Sequence, residues 1–132
     1  MLNIRQTVVD AVVAHARRNA PNEACGYLGM QNDVIVKFFP MANADASPEH
    51  FSFYPGEQFA VVKAIRNEGL SAAAVVHSHP ATPARMSEED IRLARDPNIR
   101  YVIVSLAQSE PIVKAFKVTD SIVTPEEIEV MK

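Results

Sequence analysis

Residues 72–90 read AAAVVHSHPATPARMSEED, and the order of residue types along this stretch sets how the rest of the chain must be arranged. Ala72 to Val76 is an unbroken apolar run ending in two valines, the pattern of a central strand covered on both faces. If the strand continues through His77, Ser78 and His79, its period of two places both imidazoles on one face and turns Ser78 to the other. Pro80 and Pro83 then interrupt regular backbone, and a helix is expected over roughly 88–94. Asp90 falls in the first turn of that helix, eleven residues beyond His79, and a loop of that length can fold back to bring its carboxylate beside the two rings.

Two imidazoles and one carboxylate leave one tetrahedral position open, which is the pattern of a catalytic rather than a structural zinc site. Such a site also needs a proton acceptor, because water gives up a proton as it attacks a carbonyl. Glu23 borders the apolar segment Ala24-Cys25-Gly26-Tyr27 after a Pro-Asn turn, but spacing alone leaves it in competition with Glu49, Glu57, Glu88 and Glu89. Ser87-Glu88-Glu89-Asp90 is also a variant of the capping box. In that reading Ser87 and Asp90 answer each other's backbone amides, and capping competes with metal ligation for Asp90.

Working outward, Ile4, Val8, Val9, Ala11, Val12, Val13 and Ala16 form the stripe of a helix with one buried face. Cys25–Met30 and Val34–Phe39 read as hairpin partners about the turn Gln31-Asn32-Asp33. Residues 40–55 read as an ordered loop with a brief strand at Phe51 and Phe53, and this loop is the expected wall of a cleft. A second helix spans roughly 57–68 before Gly69 stops it. Residues 101–106 and 112–118 read as strands, and the tail over 122–131 is expected to hold a short helix that starts with Thr124 as cap and Pro125 in the first turn. No internal repeat or domain boundary is visible, so residues 1–132 are expected to form one domain.

A chain of 132 residues with 13 Lys+Arg against 16 Asp+Glu carries a formal charge of -3, and its scattered basic residues make no nucleic-acid footprint. Nothing at the N-terminus resembles a signal peptide and no run reaches membrane-spanning length, so a cytoplasmic protein without membrane contact is expected. The single cysteine, Cys25, excludes a disulfide framework and reads as a buried core thiol. His15 and His50 read as structural or surface residues, with His50 near a substrate groove as the alternative. Ser78 reads as structural.

These residues carry a resemblance. Glu23, then His77-Ser78-His79-Pro80, then Ser87 after seven residues and Asp90 three further on, resemble the pattern of the JAMM (MPN-plus) metalloproteases, with no member missing. The resemblance implies an α/β fold with a curved mixed sheet flanked by helices, similar in architecture to the cytidine deaminases. It implies that His77, His79 and Asp90 bind zinc, that Glu23 is general base and later proton donor, and that Ser87 steadies the oxyanion. The segments Glu23–Gly29, Asn43–Phe53 and Tyr101–Ser105 resemble the compact prokaryotic members, which implies a ubiquitin-like or sulfur-carrier protein as substrate, its C-terminal tail pairing with a strand edge. Oligomeric state stays open, a homodimer included.

Three rivals are weighed against this. A zinc deaminase needs H-x-E with P-C-x-x-C, which one cysteine cannot supply. A non-catalytic MPN-type binding module would be expected to have lost a ligand or the glutamate, and none is lost. A general zinc peptidase acting on other peptides is not separated by sequence.

Overall fold

The computed structural model describes residues 1–132, and the strand at its centre is the one expected. It is β4 (Ser71–His79), longer than the apolar run and including both histidines. Beside it lie β2 (Cys25–Gln31), antiparallel, and β5 (Arg100–Ser105), parallel. The sheet is completed by β1 (Leu2–Arg5), β3 (Val34–Met41), β6 (Ile112–Thr119), β7 (Ile122–Glu126) and β8 (Ile128–Met131), in the order β7-β6-β5-β4-β2-β3-β1-β8. The expected α/β fold, a mixed sheet with helices on its faces, is found.

Each face has its own core because strand residues alternate sides. The helix α1 (Gln6–Asn19) presents Val8, Val12 and Ala16 to Leu28, Ala74, Val76, Val102 and Val104. On the other face, α2 (Pro55–Asn67) sets Ile65 against Tyr27, Phe39, Met41 and Ile99. Proline at the first helical position suits the start of α2, where no intrahelical N–H bond is lost. Gly69 ends it with φ 74°. The amides of Leu70 and Gly69 donate to the carbonyls of Ile65 and Arg66, both at 3.0 Å, which is the Schellman arrangement.

The hairpin turn at Asn32-Asp33 is as expected, both residues having positive φ (51° and 63°), as the right-handed twist of paired strands favours. Three expectations fail. Ile4, read as the start of the first helix, lies instead in β1, which is held between β3 and β8. Phe51 and Phe53 form no strand; they pack edge-to-face at 5.6 Å within the loop.

The tail is not helical. Asp120 and Ser121 take positive φ (51° and 65°) and turn the chain back on β6. Pro125 then sits in an edge strand, where a missing N–H is tolerated. Strands β7 and β8 occupy opposite ends of the strand order yet are separated by Glu127 alone. Two virtual bonds span at most about 7 Å, so the sheet curls until its edges meet. Leu2 N donates to Glu127 O at 2.7 Å, at the start of the parallel β1–β8 pairing. Beside it, the partly buried Glu126 carboxylate meets Arg100 Nε at 2.8 Å and the Met1 amine at 3.4 Å.

Candidate metal centre and cleft

Strand β4 delivers its histidines at the end of the sheet where β2 begins. Cys25 pairs with His77, and Ser78 N donates to Ala24 O at 2.9 Å; continued one step, this antiparallel register sets Glu23 across from His79. Ser78 faces away, as expected, and its Oγ accepts from Ala24 N at 2.7 Å. That bond clips the start of β2 to β4, a structural duty.

The two imidazoles converge. His77 Nε2 and His79 Nε2 are 3.1 Å apart, and Asp90 Oδ2 lies 3.2 Å from the first and 3.1 Å from the second. His79 Nδ1 lies 2.9 Å from Pro83 O. A carbonyl there can only accept, so Nδ1 carries the proton and the Nε2 lone pair points into the cluster. Electron-rich atoms gathered this closely fit a divalent cation. Around a tetrahedral zinc with bonds of about 2.0–2.1 Å, donor atoms stand about 3.3 Å apart. His77, His79 and Asp90 therefore form a group able to hold a metal ion.

Asp90 is carried by α3 (Glu88–Leu93), whose start is a complete capping box. Ser87 Oγ accepts from Asp90 N, and Ser87 N donates to Asp90 Oδ2, both at 3.0 Å. The competition expected from sequence does not arise, because Oδ2 receives the box amide while facing both imidazoles. Ser87 loses nothing either. Its hydroxyl uses a lone pair in the cap and keeps its O–H to donate elsewhere.

Glu23 is 4 % exposed, and its Oε1 has no hydrogen-bond partner. Burial pushes its pKa up to about 7, with the His79 charge opposing and the Asp90 charge assisting. Asp90 shows the opposite balance: burial works against ionisation, but the adjoining His77 and His79 rings outweigh it and hold the carboxyl well below the usual range. His77, fully enclosed, is lowered by burial against the pull of Asp90. Cys25, two residues along β2 from Glu23, has its thiol pushed up to about 12 by burial, and remains a protonated core residue.

The expected cleft wall is present. Phe51 stacks on His77 at 4.7 Å between centroids, and His50 beside it has Nδ1 2.9 Å from Asp45 Oδ2. With His77, Asp90, Met86, Leu93 and Tyr101, this loop lines a small open cleft of about 60 Å³. His15 lies elsewhere, on α1 with its ring against Phe38. Sequence reasoning missed Met86, which read only as one of the residues between His79 and Ser87, and Leu93 and Tyr101, which read only as helix and strand residues. It also missed Asn43, although Asn43-Ala44-Asp45 carries an Asx-turn signature.

Comparison with known proteins gives the family and the fold. Residues 5–119 match the family model described as prokaryotic homologs of the JAB domain, and the chain belongs to that family. The CysO-cysteine peptidase of Mycobacterium tuberculosis is 36 % identical over 135 residues, covering 100 % of this chain and 92 % of that one. A solution structure of a Desulfitobacterium hafniense protein superimposes with a TM-score of 0.91 at 43 % identity, covering 100 % of this chain and 94 % of the other. A JAB1/MPN domain protein of Archaeoglobus fulgidus shares the fold with a TM-score of 0.69 at 21 % identity, covering 98 % and 99 %.

Proposed function

We propose that residues 1–132 act as one metallopeptidase domain that hydrolyses a peptide bond at the C-terminal tail of a ubiquitin-like sulfur-carrier protein in the cytoplasm. The observation that carries this reading is the triangle His77–His79–Asp90 with a buried, partnerless Glu23 carboxylate in its field. The name of the mycobacterial relative, a CysO-cysteine peptidase, supports a cysteine as the residue released. An isopeptide-linked partner is the second substrate form the same chemistry serves.

His77, His79 and Asp90 would hold a zinc ion, which when bound would supply Lewis acidity to acidify water and polarise a carbonyl. Glu23, buried beside the cluster, takes a proton from water and later returns it to the leaving amine. The Ser87 hydroxyl donates its free O–H to the oxygen on which charge develops. Phe51, stacked on His77, excludes water from one side of the ligands. All five acting side chains come from one chain, so the chemistry does not itself require a homodimer. β4 is paired with β2 and β5 and the sheet's edges lie at β7 and β8. The pairing of β4 on both sides makes loop and helix the walls that a tail entering the cleft would meet.

The test is intact-mass analysis of a ubiquitin-like carrier whose Gly-Gly end is extended by one cysteine. It would be incubated with zinc-loaded protein, with chelated protein, and with His77→Ala, Asp90→Ala and Glu23→Gln. Loss of the single added residue with the loaded protein alone is the expected result. Metal binding without cleavage of any carrier, linear or isopeptide-linked, would overturn the substrate assignment and favour a general peptidase or a binding module.

A further inference from the structure

The loop that carries Phe51 is organised around one side chain. Half-buried Asn43 donates from Nδ2 to Glu23 O at 3.1 Å and His50 O at 3.0 Å, with a longer approach to Ser47 O at 3.5 Å. Its Oδ1 accepts from the amides of Asp45 at 3.0 Å and Ser52 at 3.3 Å. Two N–H protons and two lone pairs are thus fully used.

Glu23 receives the more important part of this network. Its amide donates to Ser47 O at 2.8 Å and its carbonyl accepts from Asn43, so the loop grips residue 23 on both sides of its Cα. Its carboxylate Oε1 has no partner that would hold it from the other end. Where that oxygen sits is therefore decided by the backbone. The same amide group pins His50 O, immediately before the Phe51 ring that stacks on His77. Asn43 thus fixes the proton carrier and the wall of the ligand cluster with one planar group.

We propose that Asn43 is a positioning residue for hydrolysis, acting through Glu23: its Nδ2 holds the Glu23 backbone so that the carboxylate faces the His77–His79–Asp90 cluster. This deepens the function proposed above and rests on its assignment of Glu23. A misplacement of about 1 Å can cost on the order of a hundredfold in rate, so a side chain that touches no substrate can still govern turnover.

The experiment compares Asn43→Ala and Asn43→Asp with the native chain, each also in the Glu23→Gln background. Asn43→Asp retains the acceptor for the Asp45 and Ser52 amides and loses both donors. Both variants should lower kcat by about tenfold or more while KM stays within about twofold, and in the Glu23→Gln background the same changes should alter residual turnover by less than about twofold. Zinc affinity, read by competition with a chelating dye, should stay within about threefold of native, since no ligand is altered.

Amide hydrogen exchange gives a readout independent of substrate. The Glu23 amide should exchange about tenfold faster in both variants, with Val76 in β4 unchanged. Native kcat in Asn43→Ala, an equal loss in both backgrounds, or zinc affinity falling in step with rate would each overturn the proposal. A native rate in Asn43→Asp would overturn the role of the donors. If the native chain cleaves no carrier, the substrate assignment fails, and unchanged Glu23 exchange in the variants would then separately sink the role of Asn43.

Discussion

Replacing Glu23 by glutamine should remove catalysis and, in metal-free protein, make the fold more resistant to alkaline pH. The carboxyl is 4 % exposed, its Oε1 is without a partner, and burial lifts its pKa from 4.5 to about 7. A carboxyl whose pKa is raised on folding favours the native state while it is protonated. That contribution is complete below the unfolded value and disappears as pH rises through the folded one. The difference is about 2.5 pK units, at about 1.36 kcal/mol each, so ionised Glu23 costs the metal-free fold about 3 kcal/mol. This is a large share of the roughly 5–15 kcal/mol that holds a domain of ordinary size together.

The assay is urea unfolding followed by far-ultraviolet circular dichroism with a chelator present, for native and Glu23→Gln protein, at about pH 5 and about pH 8.5. Across that interval the native protein should lose about 2.5 kcal/mol relative to the variant. Groups that titrate alike in both proteins cancel from this difference, as does any fixed offset from the amide itself. Two stability profiles that run parallel within about 0.5 kcal/mol would refute the reasoning, because they would mean that the folded state leaves the carboxylate as well hydrated as the unfolded chain does.

Ser87→Ala should destabilise by about 1 kcal/mol through the lost cap and lower turnover, while bound zinc measured by metal analysis stays at the native level; loss of the zinc would confine Ser87 to placing Asp90. Gly26→Ala should cost about 2 kcal/mol in urea unfolding, because a methyl there presses on Phe39 O and the Phe38 ring across the hairpin. An unchanged midpoint would show that the two strands separate freely. Cys25, with its thiol pushed up to about 12, should resist iodoacetamide at neutral pH in the native protein and react on unfolding. Rapid labelling of folded protein would contradict its burial.

The parts of the site that lie close together in sequence were legible from it. The alternation of His77, Ser78 and His79 fixed which side chains share a face, and the start of a helix at Ser87 fixed where Asp90 could reach. Glu23 was different. Its nearness to His79 follows from the β2–β4 register, a pairing between segments some fifty residues apart; among five glutamates its place beside an apolar strand only favoured it, and the family resemblance gave it a role. The tail was misread because Thr-Pro-Glu-Glu is as good a helix start as any. What decides its structure is the edge of a sheet waiting beside β6, together with the turn at Asp120-Ser121. β1 was missed for the same reason: four residues gain strand structure only from partners on both sides, and one of those partners is the far end of the chain.

The seam between β7 and β8 has a consequence for how the protein is made. Leu2 is made long before its partners on one side, since its amide donates to Glu127 O and its strand neighbour is Ile128. During synthesis β1 can pair with β3, but its other side stays bare until β8 has been made. The nascent chain thus carries an open sheet edge through the synthesis of β2 to β7. A chain that stalls before β8 would keep all five candidate site residues and still lack the strand that covers β1.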